Sequence, residues 1–407
     1  MPDVVQRGPL NVRPRRRLWG LSRNVYVLGW VAFLTDMASE MLYPVIPLFL
    51  TGVLGASPAI LGLIDGIAEG GSSVLRWLAG AFSDRFRRRK PFVVAGYSLS
   101  AFSKPLMGIA GYALGWPLFF VGRALDRLGK SVRTSARDAL IADSSHASQR
   151  GVAFGLHRAM DTAGAVLGPM TALLIVTLWP GVPLAWLFFV AFAPGMFSSL
   201  LAMVAVRDIP HEADRGAKPP TILQSFPRPL WRLIAATALF SLGNSSDSFL
   251  ILRSKEMGLS FAEVILAFTL YNVVYSLAAA PLGHLSDRIG RKPVVAAGWV
   301  VYAAVYLGFA LARTPLAPWM LFPAYGLYQA LTEGVTKALA SDLVPRHQRA
   351  GAIGLLYTVA GLGQFLASVI AGALWPVVLG PLHAPFFAGA VCAVAAVPLL
   401  MSIREAS

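Results

Sequence analysis

Apolar stretches long enough to cross a bilayer recur along nearly the whole chain, and that recurrence narrows the fold more than any other feature. They lie near residues 24–54, 59–83, 91–114, 116–144, 149–178, 183–206, 231–253, 260–283, 293–313, 316–344, 349–378 and 384–403, each reaching the ~20 residues a membrane helix requires. A soluble domain is excluded, because 56% of the 407 residues are hydrophobic and 14% charged, where soluble chains carry about 25% charged residues. A bilayer interior offers no hydrogen-bond partner to an unpaired backbone group, so the spans must be helices or a closed barrel. Their length selects helices, and the expectation is an all-α polytopic membrane protein with about twelve transmembrane helices.

The net charge of +15 is a topology signal. Arg7, Arg13, Arg15, Arg16, Arg17 and Arg23, the segment 85–90, the stretch 207–232, and Arg288, Arg291 and Lys292 all fall on one side of a twelve-span arrangement. The opposite loops, near 55–58, 111–116, 179–183 and 379–383, contain no Lys or Arg. The positive-inside bias then places both termini in the cytoplasm of a bacterial-type inner membrane. The basicity calls for lipid, with anionic headgroups as a secondary contact, and no nucleic acid. The first apolar run is about twice the length of a signal-peptide core and contains Asp36 and Glu40, so no cleaved signal is expected. The single cysteine, Cys392, excludes disulfides and thiolate metal clusters and reads as a core residue.

The polar, Pro-containing segment 207–230 separates a basic N-terminus (1–23) and a six-helix bundle (24–206) from a second bundle (231–407). The bundles are copies. Gly80-Ala-Phe-Ser-Asp84-Arg85-Phe-Arg-Arg-Arg-Lys90-Pro91 returns as Gly283-His-Leu-Ser-Asp287-Arg288-Ile-Gly-Arg291-Lys292-Pro293. Ala139-Leu140 with Asp143, Gln149-Arg150 and Gly155-Leu156 returns as Ala338-Leu339 with Asp342, Gln348-Arg349 and Gly354-Leu355, at identical internal spacing. A duplication of six spans marks a transporter built from repeats, with its site between the halves near the midplane.

In the repeated loop, Gly80 and Gly283 would let a helix end pack closely, and Asp84 and Asp287 can face the positive N-terminus of another helix. This loop resembles the one between the second and third spans of the major facilitator superfamily, and its second copy sits between the eighth and ninth. The first copy carries Arg87 where the family pattern has Gly, and has one extra residue. Arg123 aligns with the arginine that the family's exporters carry in the fourth span, with Asp126 and Arg127 replacing Gln-Gly after it. Gly164-Ala-Val-Leu-Gly168-Pro169 resembles the antiporter motif of proton-coupled exporters, with Ala172-Leu173 in place of its closing Gly-Gly. The resemblance covers residues 24–403. It implies two pseudo-symmetric six-helix bundles that rock about a central cavity, with Gly80, Asp84, Arg85, Gly283, Asp287, Arg288 and Arg291 as a conformational lock; plain helix capping and packing is the alternative role for these motifs.

Charge inside the membrane is concentrated in the first half. The fourth span carries Arg123, Arg127, Lys130, Arg133 and Arg137 as one stripe, with Asp126 and Asp138 among them. The first span carries Asp36 and Glu40, the second Asp65, Glu69 and Arg76, and the fifth His157, Arg158 and Asp161. Ions at this depth turn toward a water-filled path or a partner. Asp36 and Glu40 are therefore candidate proton carriers, or else members of a structural network with Arg123 and Arg127. Asp65, Glu69, Arg123, Asp126, Arg127, Lys130, Arg158 and Asp161 are candidate cavity residues; Arg133 and Arg137 are expected to snorkel or pair. In the second half, Asn244 and Asp247 are expected on the opposite wall, and Glu333 and Lys337 as an internal pair.

No catalytic motif, ATP site or zinc spacing occurs in the sequence, so the chain is expected to be no enzyme, to need no cofactor or bound metal, and to draw on an ion gradient. The expected function is secondary transport by a monomer, a proton-coupled efflux of a small molecule, with sodium as the other candidate coupling ion. The alternatives are transport of a metal cation held by Asp36, Glu40, Asp65 and Glu69, transport of an anionic metabolite held by the basic stripe, or a non-transporting sensor or scaffold.

Overall fold

The computed structural model describes residues 21–85, 88–146, 149–209, 226–345, 348–379 and 382–403. The first span is α1 (Arg23–Leu42), interrupted ahead of Pro44 and continued by the short α2 (Val45–Leu48) and a π-turn, Phe49–Val53. The rest of the first half is α3 (Pro58–Arg85), α4 (Lys90–Ile109), α5 (Gly115–Asp143), α6 (Arg150–Leu178) and α7 (Leu184–Ala205). The second half opens with α8 (Arg228–Ser241) and α9 (Ser248–Glu256), two pieces of one interrupted span. It continues with α10 (Phe261–Ile289), α11 (Arg291–Leu311), α12 (Ala317–Asp342) and α13 (Arg349–Leu374). A two-stranded turn, β1 (Val378–Leu379) and β2 (Leu382–His383), leads to α14 (Ala384–Met401). Among the described residues eight helices are long and apolar enough to cross a membrane. The spans α3, α5 and α12 have the length but carry the polar side chains of the interior, and α8–α9 is broken.

The two halves repeat one packing scheme. In the first, α1 packs on α6 and α7, α4 on α5 and α7, and α3 on α5; in the second, α8 packs on α13 and α14, α11 on α12 and α14, and α10 on α12. The halves meet through α3 against α13 and α6 against α10, which exchange under the same two-fold relation. The duplicated loops show it in their ion pairs: Arg89 meets Asp143 at 3.1 Å, and Arg291 meets Asp342 at 2.5 Å. The sequence departure between the copies has a backbone cause. Gly290 adopts φ 95°, which lets α10 turn into α11 through a single residue. The first copy has no such glycine and uses four residues between α3 and α4, of which Arg87 lies outside the described ones. There Asp208 accepts from the backbone N–H groups of Arg89 and Lys90 at 3.1 and 3.3 Å, stabilising the α4 N-terminus.

Without a hydrophobic force between helices in lipid, association depends on close backbone approach. A Cβ on Gly62 would lie 2.2 Å from the Ser368 carbonyl oxygen, and one on Gly372 2.6 Å from that of Pro58, so α3 and α13 are in tight contact along the end away from the basic loops. At the basic end Gly151, Gly155 and Gly283 face open space, with no atom within 4 Å of where a Cβ would be. Gly283 therefore does not make the close contact expected of it. The halves are sealed at the far end and parted at the basic one.

Candidate transport site

The basic stripe of α5 is resolved into individual pairs. Gly96 and Gly129 bring α4 and α5 together so tightly that either Cβ would sit 2.6 Å from the other's carbonyl oxygen. That approach places Lys104 of α4, 1% exposed, 3.6 Å from Asp126, which also accepts from the Ser100 hydroxyl. Arg123 reaches across to Asp65 on α3 at 3.3 Å, and Arg127 to Glu69 at 2.8 Å. Arg137 pairs with its neighbour Asp138 at 2.8 Å. Arg133 does not snorkel: it is buried over the Tyr97 ring, 4.7 Å from the centroid, and its Nε and Nη1 atoms have no hydrogen-bond partner among the described residues. Lys130 and Glu40 line a small enclosed space of about 20 Å³ with Asp36, room for about one water.

Asp65 is the most heavily used of these acids. Besides Arg123 it accepts from the hydroxyls of Ser246, at 2.8 Å, and Ser248, at 2.5 Å. Both serines belong to the other half, at the break between α8 and α9. Asp65 is 1% exposed, so in this state it seals the far end and does not face the cavity.

The stretch resembling an antiporter motif presses α6 against α1. A Cβ on Gly164 would lie 2.4 Å from the Phe33 carbonyl oxygen, and one on Gly168 2.5 Å from that of Met37; Pro169 follows inside α6. One turn before Gly164, Asp161 is thereby brought into hydrogen-bond contact with the Asp36 carboxyl of α1. Three residues earlier Arg158 lies 3.4 Å from Asp161 and 3.8 Å from Glu333 of α12. The Tyr275 hydroxyl of α10 accepts from Arg158 and donates to Glu333. Glu333 also pairs with Lys337 at 3.5 Å, as expected.

The second half walls a cavity of about 240 Å³. Asn244 and Asp247, at the α8–α9 break, lie on it, and Asp247 accepts from the Tyr325 hydroxyl at 2.6 Å. The remaining lining is mostly neutral and aromatic, with Thr237, Ser241, Gln329, Thr332, Thr336 and Gln364 over Phe240, Trp299 and Tyr328, and its other charges are the paired Glu333 and Lys337. The Thr237 hydroxyl and the Asn244 side-chain oxygen have no partner among the described residues. At the basic end a separate cavity of about 320 Å³ is lined by Asp287 and Arg291, with Arg291 shared between Asp287 at 3.5 Å and Asp342; Arg288 points to the surface. Of the first copy, the surroundings of Gly80 and the side chains of Asp84 and Arg85 lie outside the described ones, as does the side chain of Arg76 earlier in α3. Among the described residues no group of three or more His, Cys, Asp or Glu gathers as a metal site.

Lys104, Tyr275, Ser246, Ser248 and Tyr325 were not anticipated. Lys104 had a usable signal, a solitary cation in an apolar run. The serines and tyrosines are unremarkable in sequence and acquire meaning only through the acids they meet.

A family profile described as Major Facilitator Superfamily matches residues 28–260 and 233–406. An uncharacterised MFS-type transporter of Methanocaldococcus jannaschii is 40% identical over 363 residues, 88% of this chain and 89% of that protein. A probable 4-methylmuconolactone transporter of Cupriavidus pinatubonensis is 26% identical over 81% of this chain and 78% of its own length. The fold is that of a solved peptide transporter, POT, which superposes with a TM-score of 0.77 at 14% identity and covers 96% of both chains.

Proposed function

The chain belongs to the major facilitator superfamily and is a membrane transporter, and from that premise we propose that it exports a small organic molecule in exchange for protons by alternating access. The basic end is assigned to the cytoplasm of a bacterial inner membrane by the positive-inside bias, so the state described above is open inward. The observation that carries the proton is the contact between Asp36 and Asp161. Two carboxyl groups in hydrogen-bond contact hold a proton between them, and this pair lies in the half that moves against the cargo cavity. Asp161 thus joins Asp36 as coupling residue, while Glu40 stands beside Lys130.

The cargo reading rests on the second half's wall, mostly uncharged polar and aromatic side chains with Glu333 and Lys337 paired to each other, which suits an organic molecule with hydrogen-bond donors for Asn244 and Asp247. A muconolactone, the cargo named for one relative, is of that kind. A metal cation is less well served, because Asp65 and Glu69 are each engaged by an arginine; for the same reason Arg123 and Arg127 offer little to an anion. The test is transport in proteoliposomes containing a pH-sensitive dye, with lactones, polyols, amines and carboxylates as cargo panel. Wild type should move protons with at least one of them, and Asp36→Asn with Asp161→Asn should abolish the flux. A silent wild type, or an unaffected double variant, removes the antiport mechanism.

A further inference from the structure

Arg158 stands on the boundary between the halves. Its own half offers Asp161 at 3.4 Å, one turn away on α6. The other half offers Glu333 at 3.8 Å and the Tyr275 hydroxyl, which ties the guanidinium to Glu333. The two carboxylates are at similar distance, so geometry alone does not decide which of them holds the arginine; the charge on Asp161 does. Asp161 is in turn the partner of Asp36.

We propose that Arg158 is a proton-controlled arm between the halves: with a proton shared by Asp36 and Asp161 it bridges to Tyr275 and Glu333, and when that proton leaves it is drawn onto Asp161 and the bridge opens. This rests on the proton-coupled reading given above and adds to it the residue that converts protonation into movement. A shared proton leaves the Asp36–Asp161 pair with one negative charge, and its loss leaves two, one turn from the guanidinium. Glu333 can release the arginine because Lys337 at 3.5 Å and Gln329 at 3.4 Å remain to it within its own half. Asp161 gains the arginine without moving, being three residues away on the same helix. The seam itself, α6 against α10, is one of the places where helices of the two halves pack together, so exchange at this point acts on their relative position.

The other charged groups facing this cluster are Glu40 of α1, Lys130, Arg137 and Asp138 of α5, and His157 of α6. Arg137 is already paired with Asp138. His157 is 5% exposed with its Nε2 atom unpartnered, and Glu40 lines the same small space as Asp36, so these two competing titratable groups each need a control.

The experiment is pulsed EPR on the full chain in lipid nanodiscs. Spin labels on cysteines at Val152 and Ile289, exposed at the basic ends of α6 and α10, report the seam on a Cys392→Ala background. Between roughly pH 5 and pH 9, a range spanning perturbed carboxyls and His, wild type should pass from a narrow distribution to a broader, longer one. Arg158→Gln and Glu333→Gln should lose the shift, Arg158→Lys should retain part of it, Asp161→Asn should hold the low-pH distribution throughout, and His157→Gln and Glu40→Gln should each behave as wild type. A shift that persists in Arg158→Gln and Glu333→Gln, or one that disappears in His157→Gln or in Glu40→Gln, overturns the arm and leaves the proton-coupled reading standing. A wild-type distribution independent of pH overturns both. Should the glutamine variants fail to elute as single species, Arg158→Lys and Tyr275→Phe decide alone: a full-sized shift in both refutes the proposal.

Discussion

The far-end seal through Asp65 gives the most quantitative expectation. Ser246→Ala with Ser248→Ala removes two hydroxyls that donate to one carboxylate oxygen at 2.8 and 2.5 Å, and leaves the Arg123 contact at 3.3 Å in place. Hydrogen bonds to a charged group contribute about 1.5–3 kcal/mol each, so the pair is worth at most about 6 kcal/mol. Because Asp65 keeps Arg123, and because water reaches the carboxylate once the far end opens, the lower end, about 3 kcal/mol, is the better figure. Both serines lie across the seam from Asp65, so the loss falls on the far-sealed state and not on the folding of either half. At about 1.4 kcal/mol per tenfold, the far-sealed population should fall roughly a hundredfold relative to the far-open one. Pulsed EPR between labels at Val53 and Val378, exposed at that end, measures this directly. A longer distance should grow in at constant pH in the double variant, with its thermal unfolding close to that of wild type. An unchanged distribution would refute the assignment of Asp65 as a seal, and a collapse in melting temperature without opening would show that the contact supports one half internally.

Two further changes test the packing that builds the site. Gly164→Ala places a methyl 2.4 Å from the Phe33 carbonyl oxygen, a full ångström inside ordinary contact, which should cost about 1–3 kcal/mol and separate Asp161 from Asp36; proton flux in proteoliposomes should fall, whereas Gly155→Ala, with open space around it, should change neither flux nor melting. Lys104→Met removes the ammonium beside Asp126 and leaves its carboxylate with the Ser100 hydroxyl and the field of Arg123 and Arg127; it should lower stability in detergent unfolding by less than the ~3–5 kcal/mol of a fully orphaned buried charge, and Lys104→Met combined with Asp126→Leu should recover most of that loss.

How much of this could be read from sequence depends on whether a property belongs to one helix or to several. Apolar runs, basic loops and the duplicated Asp143 and Asp342 are local or repeated features, and they carried the helical fold and its two halves. The inward face of the α5 stripe was legible in the same way, because helical spacing sets the direction of a side chain. Its partners were not. Asp65, Glu69 and Lys104 come from α3 and α4, and which acid meets which base is decided by the approach of Gly96 to Gly129, a contact that no spacing along one helix encodes. Asp36 and Asp161 were both singled out, yet their contact depends on Gly164 and Gly168 seating α6 on the backbone of α1. The glycines flagged for a resemblance to a motif thus have a physical task here.

The duplication also explains why charge and cavity sit in different halves. Asp143 corresponds to Asp342 and Arg150 to Arg349, both 199 positions apart. The same offset takes Asp126, Lys130, Arg133 and Arg137 of α5 to Tyr325, Gln329, Thr332 and Thr336 of α12. Those four line the larger cavity of the second half, whereas Asp126, Lys130 and Arg133 line the small charged space of the first. One inward helix face has therefore been kept in both copies while its chemistry has parted, to ions in one and to hydroxyls, amides and an aromatic ring in the other. Isolated ions cost heavily at bilayer depth, so a face of paired charge is most useful where protonation must alter forces between helices. A face of neutral donors and acceptors serves where a molecule must be held and then let go. In the transport reading proposed above, coupling and cargo accordingly belong to opposite halves, and Arg158, reaching from one to Glu333 in the other, is the group placed to connect them.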